Sequence, residues 1–193
     1  SKLFDTVIHL AAQAGVRYSL KNPETYFDNN MYGFYNVLHF CAIYKISHLI
    51  FASSSSVYGE NLKVPFKEKD NTDNPLSFYA ATKKCNEVMA YSYSKIYNLK
   101  CSGLRFFTLY GPYGRPDMAP YIFLDSIVKN KKINLFNQGK NKRDFTFIGD
   151  GVNFIKNIIK NNNKKRKLFE IYNICASQSI STNSFLKNIE LLV

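Results

Sequence analysis

Tyr79 and Lys83 stand four residues apart in Ser77-Phe78-Tyr79-Ala80-Ala81-Thr82-Lys83, and a run of four serines, Ser53 to Ser56, precedes them in the chain. On a helix, positions i and i+4 share one face with Cβ atoms about 6 Å apart. The spacing therefore sets the Lys83 ammonium beside the Tyr79 phenol. A free tyrosine titrates near about pH 10, and a neighbouring cation favours its ionised form. Such a pair is a base able to take the proton of an alcohol.

Those groups need a strand and a helix to position them. His48-Leu49-Ile50-Phe51-Ala52 reads as a buried strand, and the switch to Ser53-Ser54-Ser55-Ser56-Val57-Tyr58-Gly59 belongs at its carboxyl end. In open α/β sheets, ligands bind outside the carboxyl ends of the strands. Thr6 to Ala12 is a second apolar run ending in small residues, the pattern of a parallel strand abutting a ligand. A helix is predicted from Pro23 through Cys41, another from Tyr79 to Tyr97, and a strand over Lys100 to Gly111. This alternation indicates βαβ units. Further on, the pattern predicts helices near Tyr121–Asn130 and Val152–Lys160 and short strands at Ile133–Phe136 and Ile171–Ile174. It also predicts an extended segment at Arg143–Ile148, a terminal helix over Phe185–Val193 and a mobile loop over Asn161–Lys167.

The chain resembles the extended short-chain dehydrogenase/reductase family over essentially its whole length, and within it the nucleotide-sugar epimerases. The resemblance rests on Ser53-Ser54-Ser55-Ser56-Val57-Tyr58-Gly59 and on Tyr79-x-x-x-Lys83. It implies a doubly wound, Rossmann-like parallel sheet with a partial smaller α/β lobe for substrate. It assigns Ser54, Tyr79 and Lys83 as catalytic, with Ser55 and Ser56 as neighbouring hydroxyls. Related dehydratases carry an Asp-Glu pair in the serine run and related decarboxylases a Glu, so four serines imply epimerisation. The implied cofactor is NAD, held by Leu10, Ala11, Ala12, Gln13, Asn29 (or its neighbour Asn30), Ser53, Tyr79, Lys83 and Phe107. His9 is read as a core histidine.

The stretch Leu104-Arg105-Phe106-Phe107-Thr108-Leu109-Tyr110-Gly111-Pro112-Tyr113-Gly114-Arg115-Pro116-Asp117 is most similar to the uronate branch, the UDP-glucuronate 4-epimerases; galactose epimerases carry Asn where Thr108 stands. A guanidinium offers the forked donors that a carboxylate accepts. Arg115 corresponds to the arginine near the sugar carboxylate, with Arg17 a second cationic candidate. Arg143 corresponds to the arginine for the nucleotide diphosphate, and Ser54, Ser55 and Thr108 to sugar contacts. The expected reaction interconverts UDP-glucuronate and UDP-galacturonate through a 4-keto sugar, a step of polysaccharide biosynthesis. Alternatives are a 4-epimerase of neutral UDP-hexoses or UDP-N-acetylhexosamines, a nucleotide-sugar reductase, or a non-catalytic dinucleotide-binding protein. The resemblance also implies a homodimer, paired through the helices at Pro23–Cys41 and Tyr79–Tyr97.

A dinucleotide-binding fold opens with a strand, a glycine-rich turn and a helix; no such turn occurs among the nine glycines. The chain therefore reads as an internal fragment whose first βαβ units, about 30 residues each, lie upstream of Ser1. Residues 1–112 are the later part of the NAD-binding domain and 113–193 part of the sugar-binding lobe. On its own the chain is expected to retain little NAD.

Composition narrows the class. The 193 residues are 46% hydrophobic, enough for a real core, with a net charge of +12. The basic runs, Lys129–Lys132, Lys140–Arg143 and Asn161–Lys167, are not interleaved with aromatics, which argues against nucleic acid and for a small polyanionic ligand, the last run reading as a solvated loop. Cys41, Cys85, Cys101 and Cys175 form no Cys-x-x-Cys pair, so neither metal nor disulfide is indicated. No apolar run is long enough to span a membrane and no leader is recognisable, so the expectation is a cytoplasmic protein.

Overall fold

The computed structural model describes residues 4–161 and 167–193. Of the expected loop, Asn162 to Arg166 lie outside the described residues. The chain forms two compact units, one of Ser1–Phe106 with Ile159–Asn173, the other of Phe107–Ile158 with Ile174–Val193.

In the first unit, β1 (Thr6–His9), β2 (His48–Ser54), β3 (Lys100–Phe106) and β6 (Phe169–Ile174) form one sheet in that order. The pairs β1–β2 and β2–β3 are parallel. This is a Rossmann-like α/β arrangement. β2 is buried along nearly its whole length because both faces are covered, as its unbroken apolar run requires. Helices α1 (Val16–Ser19), α2 (Pro23–Tyr26), α3 (Gly33–Ile43) and α4 (Phe78–Ile96) connect the strands. The core gathers Phe34, Leu38 and Cys41 from α3, Leu49 and Phe51 from β2, Ala90 from α4 and Cys101 from β3. Each large side chain fully buried here contributes roughly 1.5–3 kcal/mol. Gly103 leaves room for this packing: a Cβ there would lie 2.5 Å from Ile171 and 2.8 Å from Phe51.

The predicted helix at Pro23–Cys41 is interrupted. Phe27–Tyr32 is a π-helical segment between α2 and α3, and the wider turn buries Asn30 while leaving Asn29 exposed. α4 begins where the sequence predicts, because the Ser77 hydroxyl accepts the Ala80 N–H at 3.1 Å and caps the helix. Ahead of it, Gly59 adopts φ 53, and a Cβ there would fall 1.8 Å from the Asn74 carbonyl oxygen. Only glycine fits that turn.

The strand expected over Lys100–Gly111 divides at Phe107. β3 stays in the first sheet, while β4 (Thr108–Tyr110) pairs in parallel with β5 (Lys142–Phe147) in the second unit. β7 (Ser179–Ser181) adds an antiparallel third strand. The second unit also holds α5 (Ala119–Val128), most of α6 (Ile148–Lys160), and α7 (Thr182–Glu190), which packs Phe185 flat on Phe145 with ring centres 3.8 Å apart. The strand predicted at Ile133–Phe136 does not form. Asn130, Asn137 and Gln138 all take positive φ, so the chain turns at both ends of that segment, and Phe136–Gly139 is a tight helical turn. Too few residues remain there to pair as a strand.

Candidate active site

Tyr79 and Lys83 project from the first turns of α4. Lys83 is only 4% exposed; its ammonium donates to the Ala52 carbonyl at 2.8 Å and lies 6.0 Å from the centre of the Tyr79 ring. Burial lowers its pKa to about 8, since a charged amine loses hydration it cannot fully replace. Half-buried Tyr79 meets Tyr26 edge to face at 6.1 Å, and the Tyr26 hydroxyl donates to the carbonyls of Ala14 and Gly15 at 2.8 and 2.5 Å. The loop after β1 is thereby tied to the helix that carries the tyrosine.

The serine run separates by strand alternation. Ser53 is buried, and its hydroxyl donates to Glu87 Oε1 at 2.6 Å, so that side chain is committed to α4. Ser54 ends β2 in extended backbone, and its oxygen accepts the Ser56 N–H at 3.2 Å. That leaves the Ser54 proton for another acceptor. Ser55 and Ser56 are half-buried in the short helical turn Ser55–Tyr58.

At the carboxyl end of β1, a cleft of about 320 Å³ is lined by His9, Ala11, Ala12, Gln13, Asn29 and Gly33. Leu10, Ala11 and Ala12 are exposed, and the small side chains allow a ligand close to the backbone. Asn29 stands at the cleft and donates to the Thr25 carbonyl at 2.8 Å. Asn30 instead accepts the Gln13 N–H at 2.8 Å, donates to the Gln13 carbonyl at 3.0 Å and reaches the Thr82 hydroxyl at 3.2 Å. Both backbone groups of Gln13 are thus fixed by one buried amide. His9 lines the cleft, and burial and then the Lys83 charge hold its pKa below the ordinary imidazole value. Arg17 is exposed on α1. A preformed cradle of small side chains with a fixed backbone suits a dinucleotide.

Sequence reasoning missed several supporting residues. Tyr26, Glu87 and Arg105 look unexceptional along the chain, but all three are buried, as is Asn30, which the sequence offers only as the alternative to Asn29. A charged residue on a core-packed helix, as Glu87 on α4, or within a buried strand, as Arg105 on β3, was the available signal.

In the second unit, Thr108 pairs with Phe145, and the Phe107 N–H donates to the Ile174 carbonyl at 3.1 Å. Arg143 is exposed on β5. Its neighbour Asp144 accepts the N–H groups of Ala176 and Gln178 at 2.9 and 3.1 Å and the Thr146 hydroxyl at 2.7 Å, anchoring the turn beyond β6. Arg115 closes its guanidinium on Asp117 through two hydrogen bonds, one of 2.9 Å. That contact draws the Asp117 pKa below the ordinary carboxylate value.

The parallel sheet ending in serines lies beside a Tyr-x-x-x-Lys helix, and the chain belongs to the NAD dependent epimerase/dehydratase family, which it matches over residues 1–175. It is 54% identical over 156 residues to Protein CapI of Staphylococcus aureus, covering 81% of this chain and 47% of that one. To UDP-glucuronate 4-epimerase 4 of Arabidopsis thaliana it is 54% identical over 153 residues, 77% of this chain and 35% of that protein. Among solved structures, UDP-glucuronic acid 4-epimerase of Bacillus cereus, in complex with UDP-glucuronic acid and NAD, superimposes with a TM-score of 0.87 at 33% identity, covering 97% of this chain and 59% of that one. The chain spans 35% to 57% of the length of the first curated relatives it matches.

Proposed function

We propose that this chain is the catalytic portion of an NAD-dependent UDP-sugar 4-epimerase whose substrate pair is UDP-glucuronate and UDP-galacturonate. The observation that carries this reading is Lys83, buried against the Ala52 carbonyl and one turn from Tyr79. NAD, when bound, supplies a hydride acceptor and donor for the sugar carbon. Ala11, Ala12, Gln13 and Asn29 line the cleft that would hold it, with exposed Leu10 in the same segment.

The chain's own groups handle the proton. Tyr79, with Lys83 favouring its ionised form, takes the proton of the sugar 4-hydroxyl, and Ser54 donates a hydrogen bond to the same oxygen. The resulting 4-keto sugar turns over and is reduced on its other face, with Tyr79 returning the proton, so no net oxidation occurs. Arg143 serves the diphosphate, Arg115 and Arg17 the carboxylate, Thr108 and Ser55 the sugar ring, and Phe107 the nicotinamide. Restraining the carboxylate matters because a carboxylate separated from a ketone by one carbon is prone to loss as carbon dioxide.

Arg115 already binds Asp117, so a substrate carboxylate would have to displace an internal one. That pairing favours a second reading, a 4-epimerase of neutral UDP-hexoses. Turnover of UDP-glucuronate and UDP-glucose by a polypeptide extended to the length of the relatives separates the two. The uronate reading requires preference for UDP-glucuronate that collapses in Arg115→Ala. Equal turnover of both sugars, unchanged in that variant, contradicts it.

We also propose that the protein works as a homodimer. Tyr32, Tyr35, His39 and Ile43 form an exposed, largely aromatic stripe on and beside α3, with Tyr35 stacked on both Tyr32 and His39. Apolar stripes of this kind mark association surfaces. No helix among the described residues is long and apolar enough to cross a membrane.

A further inference from the structure

We propose that Glu87 is a positioning residue for the reaction: by gripping Ser53 and Arg105 from α4, it sets the direction in which Ser54 presents its hydroxyl to the sugar oxygen. The proposal rests on the epimerase reading above but adds Glu87 and Arg105, which that reading does not use, and gives Ser53 a positioning role in place of the NAD contact expected from the sequence.

Ser53 and Arg105 face each other in the β2–β3 register. Both bind one carboxylate. Ser53 donates to Glu87 Oε1 at 2.6 Å, Arg105 Nε donates to the same oxygen at 2.9 Å, and an end nitrogen of Arg105 donates to Oε2 at 2.8 Å. Exposures of 2% for Ser53, 5% for Glu87 and 3% for Arg105 leave the cluster almost wholly buried. A further Arg105 nitrogen donates to the Glu68 carbonyl, and the guanidinium lies over the Tyr58 ring at 4.8 Å. Burial opposes the Arg105 charge, but the bonds to Glu87 outweigh it and keep the guanidinium ionised.

Consecutive turns of α4 thus hold consecutive residues of β2: Lys83 binds Ala52 and Glu87 binds Ser53. Two such links fix the helix both along its axis and in rotation. Glu87 lies roughly 12 Å along the helix from Tyr79 at 1.5 Å per residue, so it acts through the scaffold and not by contact. Strand alternation then couples Ser53 to its neighbour: with Ser53 locked on one face, Ser54 is sent to the other. Buried ion pairs add little stability over well-packed apolar residues, because desolvation cancels much of their attraction, and their best-attested use is to specify geometry. Here the geometry specified is that of the base and the hydroxyl.

The test is steady-state kinetics of UDP-glucuronate epimerisation in the full-length polypeptide, with Tyr79→Phe as reference. Ser53→Ala, which leaves the Glu87–Arg105 bonds in place, should lower kcat roughly tenfold, equivalent to a single misplaced hydrogen bond. KM and NAD affinity should stay within about twofold. Ser53→Thr should restore kcat. The paired change Glu87→Met with Arg105→Met should show the same loss, with no further loss on adding Ser53→Ala. Wild-type kcat in folded Ser53→Ala, alongside loss in Tyr79→Phe, overturns the positioning role and leaves the epimerase reading intact. A fall in NAD affinity without a fall in kcat makes Ser53 a cofactor contact and also overturns it. Turnover that survives Tyr79→Phe sinks the epimerase reading and this proposal with it. If the paired variant fails to fold, the contrast of Ser53→Ala with Ser53→Thr decides alone.

Discussion

The Lys83 ammonium binds the Ala52 carbonyl oxygen at 2.8 Å, joining the helix that carries the base to the strand that carries the serines. This charge sits where the fold must pay to desolvate it, and that cost depends on pH. The pKa of Lys83 is about 8 in the folded protein against 10.5 for an ordinary lysine. Below pH 8 both folded and unfolded chains carry the proton, and the penalty is fully present. Between pH 8 and 10.5 the unfolded chain binds more protons, so stability rises with pH. Denaturant unfolding at pH 7 to 10 should show the wild type gaining on Lys83→Met, by up to about 3 kcal/mol. Parallel curves for the two proteins would show that the amine is not desolvated.

Asn30 is the support for the nucleotide cleft. Replacing it with alanine orphans the N–H and carbonyl of Gln13 and the third contact to Thr82. Each unsatisfied buried group costs about 1–3 kcal/mol. Asn30→Ala should therefore lower the melting temperature and weaken NAD binding by calorimetry, whereas Asn29→Ala should affect binding alone. Equal melting temperatures for Asn30→Ala and wild type would refute the assignment.

The turn at Gly59 precedes the loop that leads to α4. With φ 53 and a Cβ 1.8 Å from the Asn74 carbonyl oxygen, Gly59→Ala forces backbone to move. The expected loss is more than about 2 kcal/mol, combining strain in the left-handed region with steric displacement. Chemical denaturation measures it, and a change below about 0.5 kcal/mol would show that the loop relaxes freely.

Much of the site is legible in the residues themselves. The Tyr79–Lys83 spacing and the apolar run of β2 each follow from local rules of helix face and strand burial, and the structure bears out both elements. The π-helical segment at Phe27–Tyr32 is not legible, because it shifts the helix face by a fraction of a turn that no 3.6-residue pattern records; it buries Asn30 instead of Asn29. The Glu87–Arg105 pair is hidden for a different reason. Partners 18 residues apart meet only when β3 lies beside β2 under α4, so each reads along the chain as a surface charge. Ile133–Phe136 misleads in the other direction: its apolar alternation suits a strand, but left-handed asparagines at both ends deny it a partner.

The exposed stripe on α3 predicts the oligomer. His39→Glu combined with Ile43→Glu places charges where a second copy would pack, without touching buried residues. Light scattering after size exclusion should report a dimer for the wild type and a monomer for the variant, with unchanged circular dichroism. A monomeric wild type would remove the homodimer.

The most direct measurement is epimerisation by Tyr79→Phe in a polypeptide extended to the length of its relatives, supplied with NAD and UDP-glucuronate. That change removes one oxygen from a half-buried ring. The account predicts at least a hundredfold loss of conversion, in the range ascribed to a positioned acid/base group, with UDP-sugar affinity retained. Conversion at the wild-type rate would contradict it.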